Sequence, residues 1–260
     1  MLRQRVLSSF VFVPIVFGAF YLGGPYFSAL LLALSLLGAH EYRKMMLMGG
    51  IDLHVSFVPI CAVVALVGYY RPPLFAAALS AGAVTVLSIA LVRSGSAPSA
   101  MYSLSGEMYI GGLLGSLSIL RAGPDGRAWA LFTLLVTWAT DVGAYFGGSV
   151  FGKHKIAPAV SPGKSWEGAA SGVAAAALAG AVLARFTPFA PGFGALGGAG
   201  LGVLAEFGDL VESSLKRFAK VKDSGQLIPG HGGVLDRFDS LLFAGVGGLL
   251  IRTLHRMAFR

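Results

Sequence analysis

Nine apolar segments constrain this chain more than any other feature of its sequence. A helix that spans a lipid bilayer needs about 20 predominantly apolar residues. The segments lie at 6–24, 25–39, 53–70, 72–92, 104–120, 127–148, 168–186, 193–212 and 240–257. The second segment is short, and the fifth contains Glu107. The sequence therefore predicts an all-α polytopic integral membrane protein, with about nine transmembrane helices in one bundle.

Composition excludes the main alternatives to a membrane protein. Charged residues make up 12% of the chain and hydrophobic residues 55%, whereas soluble domains carry about 25% charged residues. A soluble enzyme and a disordered chain are both excluded. The single cysteine, Cys61, lies in an apolar run, so neither a disulfide framework nor a cysteine-based metal site is expected.

Lys and Arg residues predict the orientation of the chain. With the N-terminus in the cytoplasm, most of the 20 Lys and Arg residues fall in cytoplasmic loops, as the positive-inside rule requires. The C-terminal cluster of Arg252, Arg256 and Arg260 does not fit this alternation. The net charge of +8 indicates cytoplasmic loops and sites for anionic headgroups or phosphates, with no nucleic-acid partner. We expect one continuous membrane domain, in which 1–126 supplies N-terminal helices and 127–260 supplies C-terminal helices with the polar cytoplasmic loops.

Acidic residues concentrate in the second half of the chain. Eight of the 12 lie there, namely Asp141, Glu167, Glu206, Asp209, Glu212, Asp223, Asp236 and Asp239. A carboxylate at mid-bilayer costs about 2.5–3.5 kcal/mol on insertion scales, so such residues usually face the bundle interior and have a partner or a function. Glu206 and Asp209 are three residues apart and share one helix face. As a group, these residues indicate a functional site rather than isolated ion pairs.

The loop at 213–239 combines cations, carboxylates and a glycine-rich turn. Its charged residues are Lys216, Arg217, Lys220, Lys222, Asp223, Asp236, Arg237 and Asp239. The turn at 229–233 reads Pro-Gly-His-Gly-Gly and lets backbone amides approach a ligand. Carboxylates that hold Mg²⁺ beside cations that hold phosphates suit Mg²⁺–polyphosphate chemistry. A solvated cytoplasmic loop would explain the Lys and Arg residues, but not three Asp and a His.

This loop closely resembles the signature of the phosphatidate cytidylyltransferases, also called CDP-diacylglycerol synthases. The matching positions are Ser214, Lys216-Arg217, Lys222-Asp223, the turn with His231-Gly232-Gly233, Asp236-Arg237 and Asp239. Two further blocks agree: Asp-Val-Gly-Ala-Tyr-Phe-Gly-Gly from Asp141, and Ser-Pro-Gly-Lys-Ser-Trp-Glu-Gly at 161–168. The resemblance covers about residues 138–245 at the level of motifs, and a signature this long is very specific. The N-terminal half adds only membrane spans.

The resemblance implies a membrane nucleotidyltransferase of phospholipid biosynthesis, which makes CDP-diacylglycerol and pyrophosphate from CTP and phosphatidate. It also implies Mg²⁺ as cofactor, and a site that meets both the membrane lipid and the cytoplasm, as in a bacterial inner membrane. The number of cations, one or two, and the oligomeric state, with a homodimer as one option, stay open.

The resemblance further implies roles for individual residues. Asp209 and Asp236 are expected to bind Mg²⁺, with Asp223 and Asp239 as outer or alternative ligands. The residues expected to hold phosphates are Lys216, Arg217, Lys222 and Arg237. Lys164 and Ser165 are expected to contact nucleotide or pyrophosphate. His231 either donates to a phosphate or orients the turn, and Asp141 and Glu167 are expected to orient Lys or Arg.

Two other functions stay open at this point. A CTP-dependent lipid or polyprenol kinase would release CDP rather than pyrophosphate. A cation-coupled transporter could use buried acidic residues such as Glu107 and Asp141 as an ion path. A transporter of that kind often has inverted repeats with broken helices in matching positions, and the sequence shows no such symmetry.

Overall fold

The described part of the chain is almost entirely helical. The computed structural model describes residues 2–187, 190–227 and 232–258, with the side chains of 2–9 outside that description. The chain forms two compact units. Unit 1 consists of Met1–Pro124 and Leu215–Phe238, and unit 2 consists of Asp125–Ser214 and Asp239–Arg260. The expected division at 126 within one continuous membrane domain stays a prediction.

The helices and strands follow one another in a simple order. The first part of the chain contains α1 (Leu2–Leu22), α2 (Gly24–Met48), α3 (Phe57–Tyr70), α4 (Phe75–Ser94), α5 (Ala97–Gly106), a π-helical turn (Glu107–Gly112) and α6 (Leu113–Ala122). The second part contains α7 (Gly126–Phe151), β1 (Lys155–Ala157), β2 (Ser161–Ser165), α8 (Trp166–Leu183), α9 (Pro191–Phe218) and α10 (Leu235–Ala258). Short 3-10 turns at Pro72–Leu74 and Ala184–Phe186 precede α4 and follow α8.

Each of the nine predicted segments coincides with helical structure. Among the described residues, five stretches are long and apolar enough to cross a membrane: Pro72–Ser94, Gly126–Phe151, Trp166–Phe186, Pro191–Phe218 and Leu235–Ala258. The helix Phe57–Tyr70 is apolar but shorter. An all-α membrane protein is therefore confirmed, while the number of spans stays a prediction.

Aromatic contacts hold the core of unit 1 around α2. Phe27 lies 5.2 Å from Phe20 of α1 and 5.3 Å from Tyr69 of α3, measured between ring centroids. Further along α2, Tyr42 contacts Phe57 at 5.7 Å. Rings at these separations interact favourably beyond their buried area. These contacts fix α2 against its neighbours, and so determine where its C-terminal half lies.

A π-helical turn interrupts the fifth predicted span. Its first residue, Glu107, is completely buried, and within the described part of the chain neither carboxyl oxygen has a hydrogen-bond partner. Gly82 of α4 makes room for it, because a Cβ at Gly82 would lie 2.6 Å from Glu107 Oε1. The acidic residue of this segment therefore faces the protein interior and not lipid.

Glycines bring the helices of unit 2 into close contact. A Cβ on Gly143 of α7 would lie 2.5 Å from the Cβ of Ala175 on α8. A Cβ on Gly180 of α8 would lie 2.2 Å from the carbonyl oxygen of Gly194 on α9. Only glycine fits at such separations, and small residues of this kind let membrane helices approach closely. Glycine makes up 37 of the 260 residues, and several of these glycines serve the close packing of helices in unit 2.

Candidate active site

The polar segment between α7 and α8 forms an antiparallel hairpin. Lys155 of β1 pairs with Ser165 of β2. Ser165 then caps α8, because its buried Oγ accepts a hydrogen bond from the Gly168 amide at 3.2 Å, the usual role of serine at a helix start. Its expected contact with nucleotide stays a prediction. Glu167 accepts hydrogen bonds from the amides of Lys153 and His154, so among the described residues it holds the backbone before β1 rather than a Lys or Arg side chain.

Lys164 joins the hairpin to two acidic residues of α9. Its Nζ lies 2.7 Å from Glu206 Oε2 and 3.0 Å from Asp209 Oδ2. It also donates to the Glu206 carbonyl at 3.1 Å. Glu206 and Asp209 therefore share one helix face, as predicted from their spacing. Unit 2 thus brings Lys164, which lies in the motif block at 161–168, together with Glu206 and Asp209, which precede the signature in the sequence.

Electrostatics keep Lys164 charged. The side chains of Lys164 and Glu206 are only 17% and 13% exposed. Burial alone would lower the pKa of Lys164, but the carboxylates of Asp209 and Glu206 raise it more, so the pKa of Lys164 lies above its ordinary value. At neutral pH, Lys164 is therefore a charged ammonium group beside Glu206 and Asp209.

Further carboxyl groups of unit 2 lie near Glu206 and Asp209. Asp239 of α10 interacts electrostatically with Asp209, Asp141 and Glu212. Its Oδ1 accepts a hydrogen bond from the Ser240 amide at 2.7 Å, and Asp141 accepts one from Ser240 Oγ at 3.3 Å. Carboxyl groups from α7, α9 and α10 of unit 2 thus lie close to one another, and Asp141 also interacts electrostatically with Lys164.

Asp236 is the centre of a second cluster, which belongs to unit 1. Its Oδ1 accepts a hydrogen bond from Lys216 Nζ at 2.7 Å. Its Oδ2 accepts hydrogen bonds from the amides of Ser224 and Gly233, both at 2.8 Å. Asp236 therefore ties together three parts of the loop at 213–239. For Gly233, the expectation that its amide approaches a ligand is wrong, because that amide donates to Asp236.

Sequence reasoning missed a third participant, Glu41. The second predicted segment ended at residue 39, whereas α2 continues to Met48 and includes Glu41 as a buried residue. Its carboxylate accepts hydrogen bonds from the amides of Val234 and Leu235, both at 2.9 Å. An acidic residue directly beside a long apolar run was the only signal for it in the sequence.

The remaining predicted site residues are exposed or lie outside the description, and the segment expected to be a loop at 213–239 includes the end of α9 and the start of α10, which carry Arg217 and Arg237. Lys222, Asp223 and Arg237 are exposed. Arg217 is also exposed and donates to the Val221 carbonyl at 3.4 Å. His231 lies outside the described residues. Lys222, Arg217 and Arg237 therefore lie at the protein surface.

The described carboxylates suit Mg²⁺ to different degrees. Within the described ranges, no group of three or more His, Cys, Asp or Glu could hold a metal ion by itself. Mg²⁺ usually takes one or two protein carboxylates and completes its shell with water and substrate phosphates. Asp209 fits this requirement, because its side chain is 37% exposed, although Ser213 donates to its Oδ1 and Lys164 lies beside its Oδ2. Asp236 fits less well, since its side chain is only 4% exposed and both of its oxygens accept hydrogen bonds from protein groups.

The chain resembles known proteins over nearly its whole length. It matches the model of the cytidylyltransferase family over residues 3–254. The phosphatidate cytidylyltransferase of Pseudomonas aeruginosa is 36% identical over 258 residues, which cover 94% of each chain. That of Brucella suis is 47% identical over 148 residues, 54% of this chain and 53% of its own length. That of Staphylococcus aureus is 38% identical over 146 residues, 55% of each chain. The similarity therefore includes the N-terminal helices as well as the half that carries the motifs.

Proposed function

This chain belongs to the cytidylyltransferase family, and we propose that it transfers the cytidylyl group of CTP to phosphatidate, giving CDP-diacylglycerol and pyrophosphate. Relatives named phosphatidate cytidylyltransferase support this choice. The observation that carries the proposal is the cluster in unit 2, where Lys164 of one motif block meets Glu206 and Asp209. Such a cluster supplies both the cation and the carboxylates that chemistry on a nucleoside triphosphate requires.

The proposed reaction joins two anions. An oxygen of the phosphatidate phosphate attacks the α-phosphorus of CTP, the bond from that phosphorus to the bridging oxygen breaks, and pyrophosphate leaves. The attacking oxygen is already anionic, so no strong general base is required. The main tasks of the site are to hold two negatively charged substrates in line and to neutralise the charge on the leaving group.

Cationic side chains perform most of this neutralisation. Lys222 and Arg237 are exposed. Lys222 lies two residues before Ser224 and Arg237 directly follows Asp236, and both of those residues are held by hydrogen bonds, so we assign Lys222 and Arg237 to the phosphates of CTP. Among the described residues, Lys164 contacts two carboxyl groups and one carbonyl, and its ammonium can donate to a phosphate oxygen instead. Lys216 and Arg217 are further proposed phosphate ligands, and His231 a proposed donor or a residue that orients the turn.

Mg²⁺ is the proposed cofactor. Asp209 would hold it, with Asp236 as the second proposed protein ligand and Asp223 and Asp239 as outer or alternative ligands. Bound there, the ion would supply charge neutralisation at the transferred and leaving phosphates. Few protein carboxylates would be needed, because Mg²⁺ in proteins usually takes only one or two of them and keeps water or substrate phosphates as its other ligands.

The membrane setting follows from the two substrates. Phosphatidate is embedded in the bilayer with its phosphate at the interface, whereas CTP is dissolved in the cytoplasm. We propose that the protein lies in a bacterial inner membrane, with the hairpin and the loop at 213–239 facing the cytoplasm. The positive-inside distribution of Lys and Arg supports this orientation.

Product analysis tests the proposal. Purified protein in detergent is incubated with CTP, phosphatidate and Mg²⁺, and released pyrophosphate and CDP are both measured. We expect pyrophosphate in a 1:1 ratio to consumed CTP, only when phosphatidate is present. Release of CDP would instead show a kinase, and consumption of CTP without a lipid product would refute both.

A further inference from the structure

We propose that Glu41 is a positioning residue of this enzyme, which fixes the turn before α10 and, through it, the phosphate-binding side chains of the loop at 213–239. Glu41 lies on α2, in the N-terminal half, outside every motif block. The inference rests on the proposed function, since the substrate that benefits from the positioning is CTP.

The carboxylate of Glu41 receives three hydrogen bonds from the loop. Its Oε1 accepts from the Val234 amide at 2.9 Å. Its Oε2 accepts from the Leu235 amide at 2.9 Å and lies 3.0 Å from Ser224 Oγ. Glu41 is only 6% exposed, so these groups satisfy a carboxylate that would otherwise be buried without partners.

Two glycines of the loop lie very close to this carboxylate. A Cβ at Gly233 would lie 2.5 Å from Glu41 Oε2, and a Cβ at Gly225 would lie 2.6 Å from Oε1. At both positions the backbone therefore approaches the carboxylate more closely than any residue with a side chain allows. Two separate parts of the loop thus close on Glu41.

Ser224 connects Glu41 to Asp236. Its Oγ lies 3.0 Å from Glu41 Oε2 and also 3.0 Å from Asp236 Oδ2. A hydroxyl has one proton to donate, so the two carboxylates share one donor. Displacement of Glu41 would therefore change the hydrogen bonding of Asp236, and with it the contact between Asp236 and Lys216.

The amides at the start of α10 donate hydrogen bonds to these two carboxylates. The start of a helix leaves amides without partners inside the helix, which often bind phosphate. Here the amides of Gly233, Val234 and Leu235 donate to Asp236 and Glu41. These three amides are therefore engaged by protein groups, and the proposed phosphate ligands of this segment are side chains. Lys222 lies two residues before Ser224, and Arg237 directly follows Asp236, so both depend on the backbone that Glu41 fixes.

Steady-state kinetics test this role with three variants. Glu41→Gln keeps the shape of the side chain, but it places an NH2 group, itself a donor, among the three groups that donate to the Glu41 carboxylate. Ser224→Ala removes only the hydroxyl that Glu41 and Asp236 share. Glu107→Gln is the matched control, since it also neutralises a buried carboxyl of unit 1. We expect Glu41→Gln to raise the KM for CTP at least fivefold while the KM for phosphatidate stays within twofold, and Ser224→Ala to act in the same direction with a smaller effect. Glu107→Gln should leave both KM values unchanged.

A purely structural role would give a different pattern. Partial unfolding lowers the number of active molecules, so it would lower kcat and leave both KM values unchanged. That result for Glu41→Gln would overturn the proposal. If Glu41→Gln does not fold, Ser224→Ala decides, and an unchanged KM for CTP in that variant would overturn it as well.

Hydrogen exchange separates this inference from the proposed function. In Glu41→Gln, the amides of 233–235 should exchange at least tenfold faster than in the wild type, while the middle of α10 stays protected and Glu107→Gln shows no change. This readout requires no turnover. A wild-type protein without activity on CTP and phosphatidate would refute the proposed function alone, whereas unchanged exchange at 233–235 would refute the role of Glu41.

Discussion

Lys164 and Lys216 each contact a carboxylate that the signature assigns to Mg²⁺. Lys164 pairs with Asp209 in unit 2, and Lys216 pairs with Asp236 in unit 1. An ammonium beside a carboxylate keeps that carboxylate ionised and ready to bind a metal. The same ammonium can donate to a phosphate oxygen. At the scale of single residues, each cluster therefore combines a group for the metal with a group for the phosphate.

Replacement of Lys164 by Met should affect both stability and activity. The change leaves Glu206 and Asp209 without their ammonium partner, and the breaking of a buried ion pair costs about 3–5 kcal/mol. Because Asp209 is partly exposed, we expect a loss toward the lower end, together with at least a tenfold fall in kcat/KM for CTP. Thermal unfolding in detergent and CTP kinetics on the same preparation measure the two effects.

The double variant Lys164→Met/Glu206→Gln separates these effects. It removes one carboxylate along with the ammonium, so the melting temperature should recover most of its loss while CTP turnover stays low. If Lys164→Met alone has wild-type stability, this result would contradict the described ion pairs of Lys164 with Glu206 and Asp209. Recovery of activity together with stability would contradict a direct role of Lys164 at phosphate.

Asp209→Asn tests the proposed metal ligand. The amide keeps the shape of the side chain and removes the charge that Mg²⁺ requires. We expect turnover to fall far more than tenfold, which corresponds to a barrier increase well above about 1.4 kcal/mol. Glu107→Gln, which neutralises another carboxyl inside a predicted span, should retain near-wild-type turnover. If Asp209→Asn keeps more than about a tenth of the wild-type rate, Asp209 is not an essential ligand.

At the scale of helices, glycine contacts determine how unit 2 packs. A Cβ at Gly198 of α9 would lie 2.3 Å from the carbonyl oxygen of Ala176 on α8, whereas a Cβ at Gly200 has no atom within 4 Å. Both residues lie on the same helix, two positions apart. They therefore form a matched pair that separates helix packing from intrinsic helix propensity.

Gly198→Ala should destabilise the protein, and Gly200→Ala should not. Overpacking typically costs about 1–3 kcal/mol, and contact with a backbone carbonyl leaves little room for relief. Alanine in an open helix position is about 1 kcal/mol more favourable than glycine, so Gly200→Ala should be neutral or slightly stabilising. Thermal unfolding in detergent measures both. Equal melting temperatures for the two variants would show that α8 and α9 do not pack through Gly198.

The sequence predicted the helices better than it predicted the contacts between distant parts of the chain. Each of the nine segments predicted from hydropathy coincides with helical structure, because an apolar run reports directly on a helix that faces lipid or the protein core. The same method ended the second segment at residue 39 and so excluded Glu41, whose partners lie 183 to 194 residues away. Contacts over that distance depend on packing, for which a single sequence carries no local signal. In contrast, the family resemblance pointed to Lys164 and to Asp209 separately, and the structure pairs them.

At the scale of the whole molecule, the account requires that two segments face the same compartment. The proposed chemistry needs the hairpin between α7 and α8 and the loop at 213–239 to be open to cytoplasmic CTP. Ala159 and Gln226 are exposed in these segments, and Ala190 is exposed in the connection between α8 and α9, which the alternation of spans places on the opposite side.

Single cysteines test this topology. In a Cys61→Ala background, Ala159→Cys and Gln226→Cys should react with a membrane-impermeant reagent only when it has access to the cytoplasmic side. Ala190→Cys should react only from the other side. Labelling of Ala159→Cys and Gln226→Cys from opposite sides would contradict a shared site and the mechanism with it.

The transfer of the α-phosphate of CTP to lipid is the most direct test of the central claim. Purified protein, phosphatidate and Mg²⁺ are incubated in parallel with CTP labelled on the α-phosphate and with CTP labelled on the γ-phosphate, and the lipid phase is then extracted. The account predicts that α-label enters the lipid in a product that carries cytidine, while γ-label leaves as pyrophosphate. Entry of γ-label into the lipid, or no transfer of α-label, would contradict it.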